Sequence, residues 1–413
     1  MRLRILRAAD EIGGNCIQLE SDGQSILLDL GLPLAAPGAD PALLPNVPGL
    51  REGDNPELLG VVLSHPHQDH YGLLACVHPS VPTYLGEEAH RLLVAASFFT
   101  PGARIPQTVT TYRDCESFSV GPFEITPVLV DHSAFDAYAL VIEADGQRVF
   151  YSGDFRFHGR KSRQMARLVQ HPPESIDVML MEGATLGRDQ APIPKSESTL
   201  EWDITDEIAS TQGLVLASFS AQNIDRLVTF YRAAIRSDRC LVIDLYTATI
   251  LDALKRPGLP SPRSDNVRVF LPRSQKLTIV RNKAFDRVAH YRSKRIYSEE
   301  IASDPRRWLM LFRDSMRRDI AAMDCCSQGT VIYSLWPGYL ERNPDNMRDW
   351  ALRQDMLFVI HHTSGHAHPD DLVRLAQSIA PKHLIPIHTL FPEKYVSLFP
   401  SVELLPNNQW ASV

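Results

Sequence analysis

Short runs of aliphatic and aromatic residues dominate the first third of the chain, and turn residues separate them. The residue types in these runs favour strands, whereas apolar spacing in two longer segments favours helices. The predicted strands are LRILRA, NCIQLE, SILLDLG, GVVLSH, FEITPVLV, AYALVIEA and RVFYSGD, and the predicted helices are GEEAHRLLVAASFF and HGRKSRQMARLVQHPP. Hairpin-rich sheets with helices between them predict a layered α/β structure.

From about residue 197 the pattern changes to a regular alternation of helix and strand. The segment TLEWDITDEIASTQ is followed by GLVLAS, NIDRLVTFYRAAIRS, CLVIDL and TATILDALKR. Such alternation predicts a parallel sheet in a second, differently built domain. The segment from residue 357 to 390 then returns to the order strand, loop, helix, strand.

Length and composition agree with a folded protein of two domains. The chain has 413 residues, whereas a single core stops growing near ~250–300 residues. Hydrophobic residues make up 44% and charged residues 22%, the balance of a globular protein. The net charge of −7 excludes attraction of the whole surface to nucleic acid. A polyanionic substrate would therefore need a local positive site, which bound metal ions supply.

Cysteine usage and the distribution of apolar residues predict a cytoplasmic protein without a membrane partner. The six cysteines are scattered and include no CxxC spacing, which is typical of a reducing compartment. No run approaches ~18 uninterrupted apolar residues, and the first residues lack the features of a signal peptide.

The segment VVLSHPHQDHYGLL, residues 61–74, concentrates metal-binding side chains directly after a predicted buried strand. Its pattern His65-x-His67-x-Asp69-His70 mixes imidazole nitrogens with a carboxylate, a ligand set suited to zinc or a similar divalent ion. Without a cation these groups would repel or desolvate one another. Because four ligands from one loop cannot all reach one ion, two ions a few Å apart fit the pattern better.

Further candidate ligands follow other apolar strands. His132 comes after ITPVLVD, Asp154 lies in VFYSGDFR, and His388 lies in HLIPIHT. Asp29 in SILLDLG is placed to orient a ligand histidine through a hydrogen bond. A single histidine or aspartate at a strand end more often has a structural role, so these residues need support from the fold.

The pattern HxHxDH after a strand resembles the signature of the metallo-β-lactamase superfamily, and Asp29, His132 and Asp154 stand in the order of its other motifs. The resemblance implies an αββα sandwich with two divalent metal ions at one edge, Zn²⁺ being expected and Mn²⁺ the alternative. It also implies that His65, His67 and His132 hold one ion, that Asp69, His70 and His388 hold the other, and that Asp154 bridges them.

Three later motifs are similar to those of the β-CASP nucleases of this superfamily. They are Glu182 in LMEGATLG, His366 in HTSGHAHPDDL and His388 in PKHLIPIHT. In that group a helix and strand domain is inserted into the sandwich. The resemblance implies a metallo-β-lactamase domain over 1–198, an inserted β-CASP domain over 199–355 and a return to the first domain over 356–413.

Within the insertion, LASFSAQNIDRL is similar to the ribonuclease J branch. The positions that would lie close to RNA phosphates are Ser218, Ser220, Asn223 and Arg226, although a helix N-cap explains a Ser or Asn there equally well. This chain has PIHTL where ribonuclease J has PIHGE, and it lacks that branch's extra C-terminal domain. The oligomeric state, a homodimer included, is left open.

The resemblance implies a metal-dependent phosphodiester hydrolase acting on single-stranded RNA, by 5′-exonuclease or endonuclease action. Asp69 or Asp154 would accept or orient the proton of the attacking water. His366, oriented by Glu182, would bind the scissile phosphate or donate to the leaving oxygen. The alternatives are a DNA nuclease, a hydrolase of small esters or lactones, and a non-catalytic RNA-binding scaffold.

Overall fold

The computed structural model describes residues 1–100, 108–187, 194–342 and 345–413. It divides the chain into two compact units. The sandwich unit comprises Met1–Pro194 and Gly365–Val413, and the inserted unit comprises Lys195–Ser364. Both boundaries expected from the sequence, after residues 198 and 355, lie a few residues inside the inserted unit. In the described ranges, no helix combines the length and apolar character needed to cross a membrane.

The described residues form nineteen strands and fourteen α-helices. The strands are β1 Arg2–Arg7, β2 Cys16–Ser21, β3 Gln24–Leu28, β4 Leu58–Val62, β5 Thr83–Gly86, β6 Val109–Tyr112, β7 Phe118–Val120, β8 Phe123–Leu129, β9 Tyr138–Ala144, β10 Gln147–Tyr151, β11 Val178–Glu182, β12 Val215–Ser218, β13 Cys240–Asp244, β14 Val267–Phe270, β15 Trp308–Leu311, β16 Thr330–Tyr333, β17 Leu357–Ile360, β18 His383–Ile387 and β19 Trp410–Ser412. The helices are α1 Gln68–Tyr71, α2 Glu87–Ser97, α3 Ser162–Gln170, α4 Glu197–Ser210, α5 Ile224–Arg236, α6 Leu245–Leu254, α7 Arg273–Arg281, α8 Phe285–Ala289, α9 Ser298–Ser303, α10 Arg317–Ala321, α11 Gly338–Glu341, α12 Met347–Arg353, α13 Pro369–Ile379 and α14 Tyr395–Leu398. Every strand and helix named in the sequence analysis is confirmed.

Two sheets form the sandwich unit. The first has the strand order β19-β1-β2-β3-β4-β5-β6, and the second has the order β18-β11-β10-β9-β8-β7. The principal core lies between them, because Leu3 and Ile17 of the first sheet share one apolar cluster with Phe123, Ile142 and Leu180 of the second. Alternation of buried and exposed residues along β8 puts one side chain in two into this core.

Helices cover the outer faces of both sheets. Met165 of α3 and Leu372 of α13 pack with Phe150 and Met179 against the outer face of the second sheet. Helix α2 packs against β5 and β6 of the first sheet. The order helix, sheet, sheet, helix confirms the predicted αββα sandwich.

The inserted unit has a single parallel sheet of strand order β14-β13-β15-β12-β16-β17. Its central strands β15, β12 and β16 are buried on both faces, as expected where helices flank a parallel sheet, whereas the edge strand β17 is partly exposed. Local side chains define the helix starts: Ser196, Asn223 and Asp244 each accept a hydrogen bond from a backbone amide in the first turn of α4, α5 and α6.

Candidate metal centre

The strands of the sandwich unit bring the candidate residues to one edge. Asp29 follows β3, His65 follows β4, Asp154 follows β10, Glu182 ends β11, and His388 follows β18. Strand β3 pairs in parallel with β4, and β10, β11 and β18 also run parallel to one another. The carboxyl ends of these strands therefore meet on the side of each sheet where ligand sites form.

The loop after β4 turns at once into the short helix α1, which explains how it presents so many ligands. His67 is the N-cap residue of α1, and Asp69 and His70 lie in its single turn. Gly31 packs against this turn, since a Cβ atom there would collide with the Asp69 backbone carbonyl. His132 arrives separately, from the loop between β8 and β9.

Asp154 lies at the centre of the imidazole cluster. Its Oδ2 atom is 3.1 Å from Nε2 of His70, 3.6 Å from Nε2 of His65 and 3.9 Å from Nε2 of both His132 and His388. Ligands about 2.1 Å from a tetrahedral ion stand about 3.4 Å from one another. The observed separations fit that spacing.

The potential ligand atoms form two groups that agree with the division implied by the sequence motifs. All atoms within a group lie within 4.8 Å of one another. One group is His65, His67 and His132, and the other is Asp69, His70, Asp154 and His388. His132, Asp154 and His366 form a third, overlapping group. The structure thus brings all seven predicted ligands together, and their binding of metal stays a prediction.

In four ligand rings, a hydrogen bond fixes Nδ1, the nitrogen that points away from the cluster. The other nitrogen, Nε2, therefore faces the cluster. Nδ1 of His70 contacts Asp29 Oδ2 at 2.7 Å, and Nδ1 of His388 contacts Asn15 Oδ1 at 2.7 Å. Nδ1 of His132 contacts the carbonyl of Gly365 at 2.5 Å. Because these oxygens are acceptors, each ring donates from Nδ1 and keeps the Nε2 lone pair for a metal ion.

Ser64 and Tyr151 complete this hydrogen-bonded layer. The Ser64 hydroxyl donates to Asp29 Oδ2 at 2.7 Å and lies 3.0 Å from Nδ1 of His65, from which it accepts. Tyr151 also donates to Asp29 Oδ2, at 2.5 Å. Asp29 therefore orients His70 directly and His65 through Ser64.

The inner atoms of the cluster show that its residues fit a metal ion. Nε2 of His65, His70 and His388 and both Asp154 oxygens are buried and have no hydrogen-bond partner among the described residues. Leaving such groups unsatisfied costs ~1–3 kcal/mol each, and more for a charge. A divalent cation would satisfy all of them, and nitrogen and oxygen donors are the ligands that zinc takes.

Burial sets the protonation of most ligand rings. It lowers the pKa of His65 and His132 well below the usual histidine value and that of His67 to about 4. These rings are therefore neutral, which metal ligation requires. In the metal-free site, burial also acts to lower the pKa of His70, but Asp154 and Asp29 outweigh it and raise that pKa.

His366 and Glu182 form a pair beside the cluster. Nδ1 of His366 lies 3.2 Å from Glu182 Oε2 and 3.7 Å from Asp154 Oδ2. Glu182 is itself fixed, because it accepts hydrogen bonds from the backbone amides of Phe155 and Ala184. Burial acts to lower the pKa of His366, but Glu182 and Asp154 outweigh it and raise that pKa to about 9 in the metal-free site.

Comparison with family models identifies the fold family of this edge site. Residues 24–217 match a beta-lactamase superfamily domain, and residues 356–395 match a Zn-dependent metallo-hydrolase RNA specificity domain. The chain belongs to the metallo-β-lactamase superfamily. Its relatives agree with the β-CASP, ribonuclease J-like group that its motifs resemble.

Those relatives are distant in sequence and longer than this chain. Ribonuclease J of Sinorhizobium meliloti is 24% identical over 384 residues, which cover 88% of this chain and 64% of the relative. Ribonuclease J of Mycoplasma pneumoniae is 23% identical, with 92% and 66% covered. The chain thus spans just under two thirds of the length of these relatives. A crystal structure of a protein of unknown function from Enterococcus faecalis V583 has the same fold, with a TM-score of 0.78, 20% identity and 99% of each chain covered.

The inserted unit of this superfamily member holds the four residues predicted to contact RNA phosphates. Ser218 is buried at the end of β12, and Ser220 is exposed in the following turn. Asn223 accepts a hydrogen bond from the Arg226 backbone amide as the N-cap of α5. The cap therefore accounts for Asn223, and phosphate contacts by Ser218 and Ser220 stay predictions.

Arg226 is a structural residue. Only 1% of its surface is exposed, and its guanidinium bonds Glu197 at 3.0 Å and the Ser334 carbonyl at 2.8 Å. Thr229 donates a further hydrogen bond to Glu197. The sequence does not reveal the buried carboxylate of α4 that binds this guanidinium, and the phosphate contact of Arg226 stays a prediction.

The sequence analysis missed the residues that hold the ligand rings, namely Asn15, Ser64, Tyr151 and Gly365. Asn15 and Gly365 are distant in the chain from the rings they bind and carry no local signal. Tyr151 did carry a local signal in the sequence, since it precedes Asp154 by three residues at the end of a buried strand. A buried tyrosine needs a hydrogen-bond acceptor, and Asp29 provides it.

Replacing Tyr151 by Phe should weaken metal binding by about tenfold, the lower end of the range for residues that orient ligands. The change removes one donor to Asp29 and loosens His70 without altering a ligand. Metal affinity is measured by competition with a chromophoric chelator. Tyr138→Phe is the matched control, because Tyr138 is also buried and donates to a carboxylate, Asp136, outside the cluster. Equal affinities for the two variants would contradict the role of Tyr151.

Arg226→Ala should lower the free energy of unfolding by about 3–5 kcal/mol, because it leaves the buried Glu197 carboxylate unpaired. Arg232 of the same helix is the control: its side chain is 53% exposed and lies 3.7 Å from Glu201. Arg232→Ala should cost no more than about 1 kcal/mol. Urea unfolding measures both, and similar losses would contradict the structural role of Arg226.

Proposed function

We propose that this chain is a divalent-metal-dependent hydrolase that cleaves phosphodiester bonds in single-stranded RNA. The observation that carries the proposal is the convergence of seven metal-ligand side chains beside the His366–Glu182 pair. RNA as substrate is supported by the relatives named ribonuclease J. It is also supported by the match of residues 356–395, which include His366 and His388, to an RNA specificity domain.

The two groups of ligand atoms support binding of two ions, as the sequence motifs imply. We assign His65, His67 and His132 to one ion, Asp69, His70 and His388 to the other, and Asp154 to both. Zinc is proposed because imidazole and carboxylate donors suit it. When bound, two such ions lower the pKa of a coordinated water and neutralise the charge of a phosphate group.

Asp69 is the proposed proton acceptor for the attacking water, with Asp154 as the alternative. The Asp69 side chain is 20% exposed, whereas that of Asp154 is 1% exposed. A carboxylate that touches both the cluster and solvent can receive a proton and release it. The backbone of Asp69 is held in place by a hydrogen bond from the Asn15 amide to its carbonyl at 3.0 Å.

His366 is the proposed proton donor for the leaving oxygen or the hydrogen-bonding group for the scissile phosphate. Its Nδ1 atom is occupied by Glu182, so Nε2 is assigned to the substrate. The Glu182 carboxylate favours the protonated ring, and a protonated imidazole both attracts phosphate and delivers a proton. Glu182 therefore acts as a positioning residue.

The test is incubation of the full-length protein with end-labelled single-stranded RNA and DNA, each with a 5′-monophosphate or a 5′-triphosphate. With Zn²⁺ or Mn²⁺ we expect RNA cleavage, and EDTA should abolish it. A ladder of products from one end indicates exonuclease action, whereas internal fragments indicate endonuclease action. Intact RNA in the presence of fully loaded metal sites would refute the proposed function, and turnover of a lactone would favour the small-ester alternative.

Asp69→Ala and His70→Ala should abolish cleavage and lower the bound metal content, because each removes an assigned ligand. Metal content is measured by mass spectrometry of the purified variants. Circular dichroism should show an intact fold in both. A variant with full activity would exclude that residue from the centre.

His366→Ala should lower the cleavage rate by about 10²–10⁴-fold, the range for one general acid or base. Metal content should stay unchanged, since His366 is not an assigned ligand. His368→Ala is the control, because the His368 ring lies at the start of α13 and contacts Asp370. Wild-type rates in His366→Ala, or equal losses in both variants, would contradict the assignment.

A further inference from the structure

In the middle of the parallel sheet of the inserted unit, the neighbouring strands β15 and β12 send their connections toward opposite edges of the sheet. The chain leaving β12 crosses to β13 on one side, whereas the chain leaving β15 crosses to β16 on the other. In open α/β sheets, the carboxyl ends of two strands whose connections diverge in this way leave a crevice, and ligands bind there.

A cavity of about 360 Å³ lies at these carboxyl ends. Its walls come from residues that follow three strands, including Phe219 after β12, Phe312 after β15 and Leu335 after β16, with Met347 at the start of α12. This volume falls in the range of small-ligand sites, which is about 300–1,000 Å³. The cavity is therefore large enough for a flat heterocycle and is lined mainly by apolar side chains.

One exposed aromatic ring, that of Tyr339, lines the cavity, and the ring of Trp336 packs against it from outside the lining residues. Tyr339 lines it and is 53% exposed, and Trp336 is 36% exposed. Their ring centres are 5.3 Å apart at 89°. Gly338 allows this arrangement, since a Cβ atom there would come within 2.5 Å of the indole ring. The loop therefore holds the two rings in a preformed arrangement.

The charged residues that line the cavity are paired, which favours a neutral ring inside it, and the uncharged Ser218 and Ser220 also line it. Arg313 lines the cavity, but its guanidinium pairs with Asp244 at 2.6 Å. Asp314 is likewise paired with Arg317. Arg342 is exposed, and its guanidinium lies over the Trp336 ring at 5.2 Å. The phosphate backbone of an RNA whose base enters the cavity would therefore meet a positive charge there.

We propose that this cavity binds one unpaired base of a single-stranded RNA, stacked on the lip formed by Trp336 and Tyr339. Aromatic side chains take up unstacked bases in this way, and the contact tolerates different bases because every base has a π face. The inference rests on the proposed function for its choice of a strand over a free nucleotide. The inserted unit would therefore bind one base of the substrate.

The test is binding of a fluorescein-labelled ten-nucleotide oligoadenylate to the full-length chain carrying Asp69→Ala, measured by fluorescence anisotropy. A strand of equal length without bases serves as the second probe. In this background, Trp336→Ala and Tyr339→Ala should each weaken binding of the oligoadenylate by on the order of tenfold. Binding of the abasic strand should not change. Trp336→Phe and Tyr339→Phe should retain most of the affinity, because each keeps a ring.

Trp202→Ala is the matched control. Trp202 is 57% exposed on α4 of the same unit, and Arg236 lies over its ring at 4.4 Å. We expect no change for this variant with either strand. The inference is overturned if Trp336→Ala binds like its parent, if Trp202→Ala loses as much affinity, or if the abasic strand is weakened equally. Adenosine monophosphate that binds as tightly as the strand would also overturn it, in favour of a free nucleotide.

Cleavage by the wild-type chain is measured separately. Base-dependent binding through Trp336 without any cleavage would leave the stacking site standing and refute the proposed function. RNA cleavage by the wild-type chain, together with unchanged RNA binding in Trp336→Ala, would support the proposed function and refute the stacking site.

Discussion

The sandwich unit is organised around a buried carboxylate, that of Asp154, and five imidazole rings surround it. Taking an ionised carboxylate out of water costs several kcal/mol in a real protein, and Asp154 is 1% exposed. Its oxygens receive no hydrogen bond among the described residues. Repulsion between neighbouring rings and this desolvation are both relieved by a divalent cation, so the cluster makes physical sense as a metal centre rather than as part of the core.

An uncommon backbone conformation places two residues of the metal centre. Asp29 and His388 both have a positive φ, of 59° and 51°, in a region that non-glycine residues rarely adopt. Each stands directly after a buried strand, and each side chain turns back toward the cluster edge. Strain of about 1–3 kcal/mol per residue persists only where surrounding structure imposes it. The hydrogen bond between Asp29 and His70 and the hydrogen bond from His388 to the side-chain oxygen of Asn15 supply that constraint.

The sequence predicted the parts of this centre that are local or repeated. The HxHxDH pattern is compact, so chemistry alone indicates a cation, and the alternation of strands and helices predicts both units. His132, Asp154 and His388 needed the family resemblance, because strand-end residues of these types are common. The role of Asn15 could not be predicted from the sequence, since 373 positions separate it from His388, which it contacts. Arg226 is a second such case, because the Glu197 carboxylate that its guanidinium bonds lies 29 residues earlier in the chain, on another helix.

The two units differ in whether the polar and charged groups at their candidate sites are paired. This difference indicates that the two sites bind different chemical groups. In the sandwich unit, the buried polar atoms without a hydrogen-bond partner among the described residues include Nε2 of His65, His70 and His388 and both Asp154 oxygens, which a bound ion would satisfy. In the inserted unit, the two charged residues that line the cavity pair with residues outside its lining, Arg313 with Asp244 and Asp314 with Arg317. A neutral, aromatic-lipped cavity has little attraction for phosphate but suits the face of a base. A nuclease needs both functions, because phosphate chemistry is the same at every linkage, and holding a base is a way to fix which linkage is presented.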